Sequence, residues 1–130
     1  MNESRPTALR LCLAVGCGAA IGSLLRFLCG ALFSGVDATA FVNILGSFAI
    51  MLFATLCGPG GRFAVGITGR QFVMGGLCGG FTTFSALSLQ TLTLLMEGSL
   101  ATATAYIVAV IGASLAAAWI GHIVGTRINR

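Results

Sequence analysis

Carboxylates are almost missing from this sequence. Glu3, Asp37 and Glu97 are the only ones in 130 residues, and none lies inside a long apolar run. Small proton-coupled drug carriers need an acid at membrane depth to bind cations and protons, so the absence disfavours that class. Lysine is missing as well, and all seven basic residues are arginine. The single histidine, His122, falls near the end of the last apolar run and reads as interfacial. With no carboxylate pair, no Ser/His/Asp set and no metal-ligand cluster, the chain is not read as an enzyme. Five cysteines, Cys12, Cys17, Cys29, Cys57 and Cys78, are odd in number and without metal-ligand spacing. They read as small apolar packing residues.

What is present is hydrocarbon. Hydrophobic residues make up 57% of the chain and charged residues 8%, against about 25% charged in soluble domains. Residues 38–61, 71–96 and 98–126 carry no charge, and each run meets the roughly 20-residue length of a spanning helix. A fourth run, about 7–33, has Arg26 as its sole interior charge. The expected fold is all-α, one membrane domain over 1–130 with spans at about 7–33, 39–57, 71–96 and 100–125. The first run is too long for a cleaved signal peptide and lacks a convincing cleavage site, so it is expected to remain as a helix. Ser34-Gly35-Val36-Asp37, Gly58-Pro59-Gly60-Gly61 and Glu97-Gly98-Ser99 supply the joints. Such a chain has no room for a soluble module, so its function must lie in the membrane.

Charge sets the orientation. With four spans, both termini and the joint between spans two and three share a side, which holds Arg5, Arg10, Arg62, Arg70, Arg127 and Arg130. The opposite joints hold Asp37 and Glu97. The positive-inside rule makes the termini cytoplasmic in a multi-pass protein of the cell's inner, plasma membrane. The net charge of +4 is accordingly assigned to orientation and lipid headgroups rather than to nucleic acid. Small residues at four-residue spacing, Gly18 and Gly22 early and Ala113, Ala117 and Gly121 late, predict close helix packing. Four thin helices do not easily enclose a polar path, so oligomerisation is expected.

The third run is the unusual one. Gly75-Gly76-Leu77-Cys78-Gly79-Gly80-Phe81-Thr82-Thr83-Phe84-Ser85 puts glycines and hydroxyls in mid-span and predicts a break near Gly79–Thr83. Backbone groups freed at that depth must be buried in protein or face ions and water. Ser85, Ser88 and Thr91 continue the break as a polar track. Thr39, Asn43 and Ser47 share one face of span two. Asn43 reads either as a clamp between helices or as an amide donor to an anion. Arg26, about two turns from its helix end, is too deep for snorkelling alone and is expected to find an internal partner, as an anion attractor or as a cation on carbonyls at a helix break. A positive buried charge favours an anion as the solute.

These residues resemble the Fluc (CrcB-type) fluoride channels. The resemblance runs from Gly16-Cys17-Gly18-Ala19-Ala20-Ile21-Gly22-Ser23-Leu24-Leu25-Arg26-Phe27, through Thr39-Ala40-Phe41-Val42-Asn43 and the Gly79–Ser85 break, to Tyr106 and Ser114. It implies an antiparallel dimer with two fluoride pathways, passive export of fluoride from the cytoplasm, and a structural, untransported sodium ion at the dimer centre. The resemblance gives that ion to the main-chain carbonyls of Gly79 and Thr82. It gives the pathway to Asn43, Phe84, Thr83, Ser85, Thr39, Ser114 and Tyr106. Two positions depart from the family pattern: Leu87 stands where a second phenylalanine is usual, and Val110 where a serine is usual. Together with the arginine bias they raise a second reading, a subunit that pairs with an oppositely oriented paralogue. A non-conducting regulatory subunit and a small multidrug-type transporter are the remaining alternatives.

Overall fold

Four stretches are long and apolar enough to cross a membrane: the first helix Ala8–Leu32, the second Val36–Leu56, the third span Ile67–Met96 and the fourth helix Leu100–Ile128. The computed structural model describes residues 6–33 and 35–130; Arg5 and Ser34, expected on the arginine-rich side and in the first joint, lie outside the described residues. No strand occurs among the described residues. Three spans overrun their expected bounds. The second helix starts at Val36 rather than near Thr39, because Gly35, at φ 63°, turns the chain directly into it and Asp37 sits in its first turn. An acid there complements the positive end of the helix dipole. The third span starts at Ile67 rather than Gln71, and the fourth helix continues to Ile128.

Two seams hold the bundle. The first helix lies along residues 67–81 of the third span, and the second helix lies along the fourth. Both seams are made by glycine. A Cβ at Gly18 would overlap the Phe72 carbonyl, one at Gly22 the Leu77 carbonyl, and one at Gly80 the Ala19 carbonyl. In the other seam a Cβ at Gly121 would stand 3.1 Å from the Leu52 nitrogen, and one at Gly125 would stand 2.7 Å from Thr55 Cβ. Backbones thus touch backbones, as close packing in lipid requires. Ala117 and Gly121 are buried as their spacing predicts. The outward surfaces carry large apolar side chains such as Leu9, Phe27, Leu32 and Trp119, suited to lipid.

The third span is not one helix. It opens with an α-helical turn, Ile67–Arg70, continues as a π-helix over Gln71–Cys78 and returns to α geometry for Gly79–Phe81. Thr82 and Thr83 are extended, at φ/ψ −77°/159° and −149°/120°, and a new α-helix runs Phe84–Met96. The break therefore falls on two threonines. The glycines before it are helical, and Gly76 and Gly80 serve the seam with the first helix. π-Helical turns recur at functional sites.

Candidate functional site

The interruption is built by side chains that take over backbone partners. In a continuous helix the Gly79 carbonyl would receive the Thr83 N–H, and the Thr82 carbonyl the Ala86 N–H. Here the Thr83 N–H donates to Asn43 Oδ1 at 2.7 Å, and the Ala86 N–H donates to Thr83 Oγ1 at 3.2 Å. Asn43 Nδ2 returns a hydrogen bond to the Thr83 carbonyl at 2.9 Å. One primary amide thus replaces the helical partners of a whole residue. Gly46, one turn further along, gives space to the Thr82 side chain, since a Cβ there would overlap Thr82 Cγ2.

Arg26 reaches the same place from the first helix. Its Nη1 donates to the Thr82 carbonyl at 3.0 Å, so the expected internal partner is a carbonyl at the break. Ser23 Oγ lies 3.5 Å from the Gly80 carbonyl. The positive charge is half-buried, with its remaining N–H groups available to a recess of about 270 Å³ that Thr39, Thr83 and Gln90 also line. A second recess, about 340 Å³, lies beyond Thr83 and is lined by Asn43, Thr82, Phe84, Leu87 and Ser114 among others. Thr83 borders both.

Most of the residues singled out by sequence converge here. Asn43, Gly79, Thr82, Thr83, Phe84 and Ser114 line the larger recess, and Arg26 and Thr39 the smaller. Ser85 borders neither, but its Oγ lies 3.3 Å from Thr83 Oγ1. Phe84 is 70% exposed, which leaves its ring uncovered on the open side of the groove. The Ser114 hydroxyl is buried without a hydrogen-bond partner among the described residues. Asn43 acts as the interhelical clamp, and its Nδ2 still carries a second N–H. The polar track beyond the break is shorter than expected: Thr91 Oγ1 turns back to the Leu87 carbonyl at 2.8 Å, the local bond that helical threonine favours. Leu87 and Val110 are buried, at 2% and 5% exposure, and both face the larger recess. Tyr106 stands one turn from Val110, bound to Gln90 rather than opening into the groove. Gln90 and Gly46 escaped the sequence reading, although an amide in an uncharged span was itself a signal for the first.

Electrostatics divides the break in two. The carbonyls of residues 79–82 end one helical segment and form its negative pole, while the N–H groups at Phe84 and Ser85 begin the next and form a positive one. A cation and an anion could therefore be accommodated within one turn of each other, on opposite sides of Thr83.

Such a bundle, with guanidinium, amide and hydroxyl groups gathered at a helix break in mid-bilayer, is an integral membrane protein built to handle ions. The chain belongs to the CrcB family: the family described as CrcB-like protein, Camphor Resistance (CrcB) matches residues 13–122. It is 55% identical over 135 residues to the fluoride-specific ion channel FluC 3 of Brucella abortus biovar 1, covering 99% of this chain and 98% of that one. The fluoride-specific ion channel FluC 4 of Brucella suis biovar 1 is equally similar, 55% over the same shares. The fluoride-specific ion channel FluC of Opitutus terrae is 44% identical over 127 residues, covering 93% of this chain and 96% of that one.

Proposed function

We propose that this chain forms a fluoride channel, passing the ion out of the cytoplasm down its gradient. The observation that carries the reading is the Asn43–Thr83 interlock, which leaves an amide N–H facing a groove at membrane depth. Fluoride is small and strongly hydrated, so a pore must replace its water with N–H, O–H and ring-edge contacts that do not hold it too tightly. Asn43, the unpartnered Ser114 hydroxyl and the exposed Phe84 ring offer such contacts in the larger recess. Thr83 borders it with Ser85 bonded to it, Thr39 lines the Arg26 recess, and Tyr106 stands beside that recess through its bond to Gln90. Arg26 draws anions toward the break without forming a tight ion pair, because its nearest partner is a carbonyl.

One chain supplies one wall. The open side of the groove and the uncovered Phe84 ring support a dimer, in which an antiparallel second copy closes the path. The Gly79 carbonyl, which has lost its helical donor, and the Thr82 carbonyl, which keeps a lone pair beside its bond from Arg26, suit a structural sodium ion, since a carbonyl oxygen is a hard ligand. Such an ion would supply electrostatic cohesion between the two breaks. The arginines of the termini side support cytoplasmic termini in the plasma membrane. Purified protein in liposomes, followed with a fluoride electrode under charge-balancing ionophore, is expected to release fluoride; release at the rate of protein-free vesicles would overturn the reading.

A second reading, a subunit that requires an oppositely oriented paralogue, is favoured by two observations. Aliphatic Leu87 and Val110 form part of the groove wall, and Arg10, Arg62, Arg70, Arg127 and Arg130 all lie toward one side. Flux from the homodimer alone excludes it; flux that appears only on coexpression with a partner selects it.

A further inference from the structure

Gln90 belongs to no motif in the sequence, yet it sits where three elements meet. Its Nε2 donates to the Gly35 carbonyl at 3.1 Å, and its Oε1 lies 2.6 Å from the Tyr106 hydroxyl. The directions of these bonds are forced. A carbonyl can only accept, so the atom facing Gly35 must be the amide nitrogen, and the orientation of the amide is thereby fixed. Oε1 must then face Tyr106, and since it too can only accept, the phenol must donate. Tyr106 has one hydroxyl proton, and this bond uses it. The phenol oxygen also lies 3.5 Å from the Val36 carbonyl, a second acceptor on the same side.

We propose that Gln90, which lines the Arg26 recess, is the positioning residue of Tyr106, holding the ring beside that recess with its proton committed to Gln90 rather than offered to an ion. The inference rests on the fluoride-conducting reading. An anion in that recess is offered no proton by Tyr106, so it does not settle there and is left to Arg26 and the donors at Asn43. Its two bonds hold the fourth helix, the helix after the break and the first joint in register beside that recess.

Tyr106 is the only tyrosine in the chain, which gives the proposal a direct spectroscopic test. Ultraviolet resonance Raman spectra of the reconstituted protein report, through the tyrosine Fermi doublet, whether the phenol is a strong donor. The donor signature is expected in the unmodified protein and in Gln90→Glu, which keeps an acceptor, and is expected to weaken in Gln90→Leu, where only the longer Val36 contact remains. Fluoride efflux is expected to fall about tenfold in Gln90→Leu, the effect of one hydrogen bond, and to recover most of that loss in Gln90→Glu. The proposal is overturned by an unchanged doublet in Gln90→Leu, by unchanged efflux once the doublet has shifted, or by Gln90→Glu behaving like Gln90→Leu, which would transfer the role to the Gly35 contact. If the unmodified protein does not conduct, the fluoride reading fails on its own, and the doublet still decides whether Gln90 orients Tyr106.

Discussion

The two halves of the third span lie within one apolar run and are held in opposite ways. Residues 67–81 are fixed by shape: Gly76 and Gly80 let the first helix approach until main chain meets main chain, with Gly18 and Gly22 opposite. Residues Phe84–Met96 lean on the second and fourth helices, and near the break their placement depends on Asn43, Thr83 and Ser85 hydrogen bonds. Dry glycine packing cannot select an ion, because it presents no donor. Hydrogen-bonding side chains can, and they gather around the break at Thr82 and Thr83, where both recesses open.

The sharpest way to break this comparison is at the clamp. Asn43→Asp keeps an acceptor for the Thr83 N–H but turns a carboxylate oxygen toward the Thr83 carbonyl and the groove. Fluoride efflux is expected to drop about a hundredfold, the scale of losing a buried hydrogen bond and leaving a charged group badly paired. Gly22→Ala attacks the other half. Its Cβ would overlap the Leu77 carbonyl and lie 2.8 Å from the Phe81 nitrogen, and backbone cannot move aside as a side chain can. A stability loss of about 1–3 kcal/mol is expected by denaturation in detergent.

Ser114→Ala separates stability from conduction. The hydroxyl has no protein partner among the described residues, so its removal should leave the denaturation midpoint in place while efflux falls a few-fold. Loss of both together would mean that Ser114 serves packing. The smallest effect is expected at Gly16, which has open space around its Cβ position. Gly16→Ala should stabilise the first helix by about 0.5–1 kcal/mol without altering efflux, in contrast to the glycine two turns away at Gly22.

Much of this was legible in the sequence, for reasons that can be named. Uncharged runs long enough to cross a bilayer reveal the four spans, because lipid leaves the backbone few alternatives. Arg26 could be assigned an internal partner from its depth alone, and Thr39 and Asn43 could be placed on one face from their spacing. The exact site of the interruption could not be read. Glycine is the usual breaker, yet Gly79 and Gly80 remain helical because the first helix packs against them, while the chain opens at Thr82 and Thr83 because Asn43 captures the Thr83 backbone. That capture spans 40 residues of sequence, and no local pattern carries it. The same is true of Gln90, whose role depends on Gly35 and Tyr106 arriving from two other elements. Thr91, read from the sequence as part of the polar track, is the opposite case: its partner, the Leu87 carbonyl, is local.

The bond from Arg26 to the Thr82 carbonyl has a mechanical consequence. A helix interrupted at two extended residues would ordinarily be a hinge, free to bend. Here the first helix lies along the segment before the gap and reaches into the gap through one guanidinium on Thr82, while Asn43 grips the next residue from the second helix. The joint is splinted from two sides. It behaves as a welded corner, and an ion that crosses it meets a fixed aperture rather than a swinging door.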